Sequence, residues 1–440
     1  MAVKKTIRKI HLIPLRKLPL ILSVILFASP AVFAVEIEAE LRAGIAESDN
    51  IARTSSTSSD ETIRTGGFSL SILQQTRTLD LELRSEADYL DYENDTFDEE
   101  WISGASLSLA YRMFDGAVTW TLLDNYGQQL IDPLASPNPG NRENINYLTT
   151  GPSLSLQLDA RHGIGADVTY STVDYEERPI DNDRMRYGLW FARQMNSESQ
   201  ISLNVTSEDI EFAVGGFAND YNVLETFVRY SRTNNRNTFS VDLGYTEIDV
   251  PALGGSGQLI RIDWLRNISD ISTLTLVAGS RFSDNGDIFR FLQLNNPRTA
   301  TAADAPATSQ PFRFNFAFLN YNFAPNRTSL RLTTGYSTEE FETMPDEDRE
   351  ILNVSLILSR DISRNLFGTA GVRFNRRDFT FINRKDDDLS ASVVLGYRLG
   401  TSFSLQAEQQ FLRRNSSVAI RDFEENRTIF RITYTPQWTR

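Results

Sequence analysis

The stretch Leu79–Tyr89 constrains the fold of this chain more than any other, because apolar and charged residues alternate along it one by one. Side chains of a β-strand point alternately to its two sides, so this pattern predicts a strand that is apolar on one face and charged on the other. The apolar face is made of Leu79, Leu81, Leu83, Ala87 and Tyr89. The charged face is made of Asp80, Glu82, Arg84, Glu86 and Asp88.

The same alternation recurs almost to the C-terminus, and turn residues separate its segments. Counting these segments predicts about 20 strands (18–22), joined alternately by short turns and by long, polar or Pro-rich connections. No apolar run after the N-terminus is long enough for a helical membrane span. The pattern is typical of an all-β fold, a transmembrane antiparallel up-and-down β-barrel with short periplasmic turns and long extracellular loops. Aromatic residues near the strand ends, such as Trp101 and Tyr111, suit the membrane interfaces.

The N-terminus has the organisation of an export signal. Six basic residues precede the apolar segment Leu18–Phe27, and Val32-Phe33-Ala34 fits a cleavage site. The domain prediction is therefore a signal peptide over 1–34 and a single outer-membrane barrel over 35–440. An uncleaved N-terminal anchor is the alternative. An even number of strands would place both termini in the periplasm of a Gram-negative bacterium.

Charge and composition exclude several classes of function. Removing the six basic residues of the signal from 44 leaves 38 against 58 acidic residues, a net charge of −20. Such a chain lacks the basic surface that nucleic-acid binding requires, so no nucleic-acid partner is expected. With no Cys, the chain has neither disulfide nor thiol chemistry.

Catalytic and metal sites have little support in the sequence. Of the two His, His11 lies in the signal and His162 in a predicted periplasmic turn, so a serine-type constellation lacks a base. Acidic clusters at 339–348 and 386–388 could bind Ca²⁺ or Mg²⁺. They have no ligand spacing of a known motif, which favours solvated loops. We expect no enzyme, no cofactor and no bound metal.

The charged faces of the predicted strands would line the barrel interior. Acidic residues come from the first strands and arginines from later ones, which allows two interpretations. Opposed charges could organise a path for a polar solute such as a saccharide, or the charges could pair and simply fill the interior. Loops 124–149 and 283–311 are candidate constrictions or lids. The candidate interior residues are Glu38, Glu40, Asp80, Glu82, Glu86, Asp88, Arg229, Arg261, Arg281, Arg331 and Arg373.

Several short motifs resemble those of the β-barrel porin family associated with exopolysaccharide and PEP-CTERM (exosortase) systems. They are Gly44–Ile51, Asp88–Asn94, Leu123–Gly127, Gly151–Leu154 and Tyr170–Asp181. The resemblance covers most of the chain after residue 34 and is strongest up to Arg193. It implies an outer-membrane barrel linked to polysaccharide export or surface assembly, and it transfers no catalytic residue.

Three functions follow as hypotheses. The first is a porin-like conduit linked to exopolysaccharide export or cell-surface assembly. The second is a scaffolding barrel with a closed lumen that binds partners through its loops, and the third, least favoured, is an outer-membrane enzyme. The expected partners are outer-membrane lipid and lipopolysaccharide, the barrel assembly machinery, and polysaccharide with other export components.

Overall fold

The structure, a computed structural model, describes residues 35–55, 59–213, 220–250, 255–295, 310–341 and 345–436. Twenty strands and one α-helix, α1, account for most of them. The predicted signal peptide and Trp438 lie outside the described residues. The elements are β1 (Val35–Ser48), β2 (Glu61–Gln75), β3 (Leu79–Tyr92), β4 (Glu100–Met113), β5 (Val118–Leu130), β6 (Arg142–Gln157), β7 (His162–Tyr175), β8 (Asn182–Gln194), β9 (Ser199–Phe212), β10 (Tyr221–Thr233), β11 (Asn237–Asp249), β12 (Gly255–Ser269), β13 (Ser272–Ser283), α1 (Asn285–Asn295), β14 (Phe312–Phe323), β15 (Thr328–Phe341), β16 (Arg349–Asp361), β17 (Leu366–Phe379), β18 (Arg384–Leu399), β19 (Phe403–Ser416) and β20 (Phe423–Tyr434).

Each strand pairs antiparallel with its neighbours in sequence, and β1 pairs with β20, so the sheet closes on itself. The closing register runs from Leu41 opposite Tyr434 to Ser48 opposite Arg427. Over this register, closure pairs the backbone groups of the two terminal strands, as a barrel wall requires. The prediction of an antiparallel up-and-down barrel of about 20 strands is confirmed.

Connections at the two ends of the barrel differ in length. At the end where β1 starts and β20 ends, which we call the lower end, connections run from two residues (270–271) to four (for example 324–327). At the opposite, upper end they run from four residues (380–383) to the long segment 284–311. One predicted loop is shorter than expected: residues 124–130 and 142–149 belong to β5 and β6, so the loop is only 131–141.

The outer wall is apolar at mid-height and aromatic near strand ends. On β18, Val393 and Leu395 are 60% and 52% exposed, although they lie in the middle of a paired strand. Trp101 and Tyr111, near the two ends of β4, are also exposed, and the Trp101 ring lies 5.3 Å from the ring of Tyr89. Exposed leucines and valines in the middle of strands are what a lipid-facing wall requires. No helix among the described residues is long and apolar enough to cross a membrane.

Apolar alternation alone does not orient strand β14. Both of its faces are rich in apolar residues: Ala317, Leu319 and Tyr321 pair with the outward residues of β15, whereas Phe312, Phe314, Phe316 and Phe318 point inward. Phe312 and Phe314 are almost fully buried. This strand therefore has a lipid-type outer face and a second apolar face that packs against something inside the barrel.

Candidate functional site: a lumen narrowed by two inserted segments

The acidic wall of the lower lumen lies on β1 and β3. The candidate residues Glu38, Glu40, Asp80, Glu82, Glu86 and Asp88 all lie on the face opposite the apolar outer residues. Between these strands, β2 presents small residues: Ser69 lies opposite both Glu40 and Glu86, and Ser71 lies opposite Glu38. Small side chains leave space in front of the carboxylates, and Glu38 is exposed.

Several of these carboxylates are paired with an arginine on the same part of the wall. Asp88 accepts two hydrogen bonds from Arg42, at 3.1 and 3.0 Å, and Glu40 lies 3.6 Å from the same guanidinium. Asp80 pairs with Arg112, and Glu82 with Arg84 at 2.7 Å. Glu38 has no ion pair among the described residues. The lower wall therefore keeps an acidic character that is only partly neutralised.

The candidate arginines lie on the opposite part of the sheet, and the structure places carboxylates among them. Arg229 donates to both oxygens of Asp242, at 2.6 and 2.7 Å. Arg261 reaches the same Asp242 at 3.0 Å and Glu225 at 3.2 Å. These inward carboxylates were missed in the sequence, and they make this part of the wall a network of local pairs rather than a bare positive surface.

The remaining three arginines also face inward but have different surroundings. Arg331 donates to Asn322 at 3.1 Å across the β14–β15 pair. Arg373 has no ion pair among the described residues. Arg281 lies near the upper end of β13, and its Nε is buried without a hydrogen-bond acceptor.

The loop 131–141 crosses the lumen from β5 and β6 to the far wall. Arg384 of β18 donates to the carbonyl of Leu134 at 2.7 Å, and Arg414 of β19 to the carbonyl of Ala135 at 3.4 Å. Arg53, in the loop after β1, donates to the carbonyl of Pro137. These three guanidiniums hold backbone groups of a loop that starts on another part of the barrel.

The arginines that hold the loop are fixed by carboxylates of their own. Arg414 donates to both oxygens of Asp388, at 2.6 and 2.9 Å, and Arg384 donates to both oxygens of Asp386. Both guanidiniums are buried, and two-pronged bonds of this kind set their orientation. Asp386 and Asp388, the inward-facing residues of the predicted acidic cluster at 386–388, therefore position the arginines that hold the loop.

The helix α1 forms the second insertion, and its apolar residues contact two parts of the wall. Phe289 is fully buried among Ile145, Tyr147 and Val173 of β6 and β7. On the other side, the ring of Phe291 lies 5.2 Å from Phe316 of β14. The helix thus spans the space in front of β8–β13, and it is the partner of the inward phenylalanines of β14.

A buried polar cluster fixes the start of the helix. The carboxylate of Asp284 accepts from Arg184 at 3.0 Å, from the hydroxyl of Tyr221, and from the backbone N–H of Asp287 at 2.9 Å. Asp284, Arg184 and Tyr221 are all buried. An Asp before the first turn is a preferred N-cap, because its oxygen satisfies an unpaired N–H of the helix. Asp284 therefore serves as helix cap and as wall contact at once.

A glycine allows the helix to approach the wall. A Cβ at position 286 would lie 2.9 Å from Nη2 of Arg184 and 3.4 Å from the ring of Tyr147. Next to it, Asn285 accepts a hydrogen bond from Tyr175 at 2.8 Å. Asp284-Asn285-Gly286 is therefore a signal in the sequence that could have located the start of the helix.

Charges on the first turn of α1 add to this attachment. Arg290 donates to Asp287 at 3.1 Å, and Arg184 lies 3.7 Å from the same carboxylate. Burial acts to raise the pKa of Asp287, but Arg290 and Arg184 outweigh it and lower the pKa to about 2. The pKa of Arg290 is raised, most strongly by Tyr147 and also by Asp287. Both groups are therefore charged at neutral pH.

The described residues give little support to a catalytic histidine or to a metal site. His162, which the sequence predicts in a turn, is the first residue of β7 at the lower end. Its Nδ1 lies 2.9 Å from the carboxylate of Asp159. No group of three or more His, Cys, Asp or Glu side chains in the described ranges could hold a metal. Glu339 of the predicted acidic cluster points inward and binds Arg349 at 2.6 Å, and Glu342 lies outside the described residues.

Comparison with protein families gives one match. The family model described as "Putative beta-barrel porin 2" matches residues 317–435, from within β14 through β20. The match lies at the other end of the chain from the motifs that suggested a porin family in the sequence. It supports a porin-like barrel of the outer-membrane type. A search of curated proteins found no match.

Solved structures of outer-membrane proteins share the architecture at low identity. OccK2 of Pseudomonas aeruginosa, in complex with glucuronate, is 10% identical, with a TM-score of 0.36 over 91% of this chain and 98% of that one. OpdQ of P. aeruginosa is 11% identical, with a TM-score of 0.39 over 91% and 99%. The FrpB iron transporter of Neisseria meningitidis is 8% identical, with a TM-score of 0.44 over 91% and 81%. The strand pairing of this chain itself establishes its fold.

Proposed function

We propose that the protein is a porin-like conduit for polar solutes in the outer membrane of a Gram-negative bacterium, with both termini in the periplasm. The observation that carries this proposal is the contrast between the two faces of one closed sheet. Its outer face exposes leucines and valines such as Val393, whereas its inner face carries the charged residues of β1, β3, β10 and β12. A lipid-facing wall around a charged interior suits the passage of polar molecules.

The loop 131–141 and helix α1 would set the width of this conduit. Both originate at the upper end, and both are held by inward-facing residues of the wall. In this proposal they select by size and charge at the upper end, while the carboxylates of β1 and β3 set the local field of the lower lumen.

The finer proposal is a link to exopolysaccharide export or cell-surface assembly. Its support is the motif resemblance together with a polar lumen, which suits a saccharide. The partners in this proposal are outer-membrane lipid and lipopolysaccharide around the apolar belt, the barrel assembly machinery, polysaccharide, and other export components. Deleting the gene and measuring surface polysaccharide tests the link, and an unchanged amount of polymer would contradict it.

A scaffolding barrel with a closed lumen is the second candidate. The observation in its favour is the depth of burial at the helix: Phe289 is fully buried, and Asp284 and Arg184 form a buried ion pair. A segment attached in this way could close the upper lumen permanently. We propose no enzymatic function, since the one histidine of the described residues, His162, lies at the lower end of β7 beside Asp159.

Conductance of the purified protein in planar bilayers separates the two candidates. The conduit proposal expects discrete channel openings in the wild type, and larger ones in a variant whose residues 285–295 are replaced by a Gly-Ser segment of equal length. Heat-modifiable migration on a detergent gel verifies that both barrels are folded. Folded protein that conducts in neither form, under any salt or voltage, contradicts the conduit and favours the scaffold.

A further inference from the structure

A recess lies under α1, against the inward faces of β8–β13. Inward residues of these strands line it together with Asp284, Asp287 and Arg290 at the start of the helix. Its lining includes three charged residues that take no part in the contacts described above: Arg186 of β8, Glu208 of β9 and Arg281 of β13. No described side chain of α1 or of the loop 131–141 fills this space.

Most charges around the recess are already paired. Arg184 is bound to Asp284, Arg290 to Asp287, and Arg261 to Glu225. Among the described residues, Arg186 and Arg281 have no ion pair, and Glu208 has none either, although Arg186 lies opposite it across the β8–β9 pair. The lining contains five guanidiniums against four carboxylates, which leaves one positive charge in excess.

The unpaired groups are of the kind that a ligand would satisfy. The Nε of Arg281 is buried with no acceptor in reach. A buried N–H without an acceptor is costly, and a guanidinium binds a carboxylate through two parallel hydrogen bonds. Glu208 accepts no hydrogen bond from the described residues, although Arg184, Arg290 and Arg186 lie near it, and its oxygens can accept from the hydroxyl groups of a sugar.

We propose that this recess binds a hexuronate unit, with Arg281 and Arg186 on its carboxylate and Glu208 on its hydroxyls. The inference rests on the proposed function, since it names a solute class for the same lumen. One excess positive charge matches a monoanion. The nearby carboxylates of Glu208 and Asp287 would repel a doubly charged phosphate, so the recess favours a uronate over a phosphorylated sugar.

Isothermal titration calorimetry of the detergent-solubilised full-length protein tests this site. The probes are D-galacturonate, D-galactose and inorganic phosphate. We expect D-galacturonate to bind at least about tenfold more tightly than either comparator. D-galactose lacks the carboxylate that the arginines would bind, and phosphate lacks the sugar hydroxyls that Glu208 would bind. Absence of galacturonate binding, or equal binding of phosphate, overturns the proposal.

Variants identify the recess as the place of binding. Arg281→Gln should weaken galacturonate binding by about tenfold or more, the loss expected for a charge-assisted contact. The matched control is Arg77→Gln, in the turn between β2 and β3, where the arginine pairs with Asp115 in solvent. If Arg281→Gln fails the heat-modifiability check for folding, Arg186→Gln is compared with the control instead. Equal affinities in the recess variant and the control contradict the site.

A third variant tests the role of the carboxylate. Glu208→Gln should narrow the preference for galacturonate over phosphate, because it removes a negative charge and keeps a hydrogen-bonding group. An unchanged preference contradicts the role given to Glu208. Since binding is measured without a membrane, its outcome is separate from conductance. Binding without channels rejects the conduit alone, and channels without binding reject the recess alone.

Discussion

The upper and lower halves of the lumen are built from the same strands but are stabilised in different ways. In the upper half, α1 and the loop 131–141 bury aromatic rings and paired charges, as at Phe289 and the Asp284–Arg184 pair. In the lower half, serines of β2 lie between acidic residues of β1 and β3 that are exposed or half-buried. A substitution in the upper half therefore disturbs buried pairs, whereas one in the lower half changes the local field and little else.

The largest effect is expected for Asp284→Asn. It removes the negative charge that balances buried Arg184, and breaking a buried pair costs about 3–5 kcal/mol. We expect the start of α1 to detach from the wall and single-channel conductance to rise. Asp115→Asn, which changes an exposed turn pair, is the control. Wild-type conductance in a folded Asp284→Asn variant would show that this pair does not hold the helix.

Arg414→Gln should have a somewhat smaller effect. It removes two bonds to Asp388 and the contact to the carbonyl of Ala135, and a hydrogen bond to a charged group contributes about 1.5–3 kcal/mol. We expect noisier current, because the loop 131–141 loses one anchor, and a lower temperature for the heat-modified gel shift. Its neighbour Arg413, exposed and paired with Glu424, supplies the control Arg413→Gln.

Acid should loosen the upper half through Asp287. The folded-state pKa of this group, about 2, lies below its ordinary value of 3.8, so its contribution to attachment is complete above pH 4 and is lost as pH falls towards 2. The difference corresponds to about 2 kcal/mol. Conductance should therefore rise between pH 4 and pH 2. Asp287→Asn should lack this rise; a variant that still shows it would assign the transition to another group.

The smallest effect is expected in the lower half. Glu82→Gln breaks only an exposed pair with Arg84, and such pairs contribute about 0–1 kcal/mol. Stability should be unchanged, while the reversal potential in a salt gradient should shift modestly towards anions. A large loss of stability would mean that the two halves are less different than their burial indicates.

The sequence was sufficient for the barrel because its determinants are local. Alternation in a stretch such as 79–89 fixes which residues face outward, and turn residues fix where strands end. It was insufficient for the lumen contents. The contact between Arg384 and Leu134 joins residues 250 apart, and no local pattern specifies which wall a loop will reach.

The boundaries of the inserted segments illustrate the same limit. The sequence predicts a loop from residue 124 onwards, because polar residues such as Asn125 and Gln129 interrupt the apolar alternation. They are buried inside the upper barrel, where the inserted segments pack. Likewise, the inward phenylalanines of β14 are explained only by the position of α1, which packs against them. The hexuronate recess depends on three strands and was not accessible to sequence reasoning.

The seam between β1 and β20 has a consequence for how the molecule is made. Its contacts include the hydrogen bond from Ser48 to Glu425, groups 377 positions apart in the chain. Bringing such distant segments together costs chain entropy that nearest-neighbour hairpins do not, so the nineteen hairpin pairings can form early while this seam forms last. Until then both terminal strands expose unpaired backbone, and the interval before they meet is when a protective partner matters most.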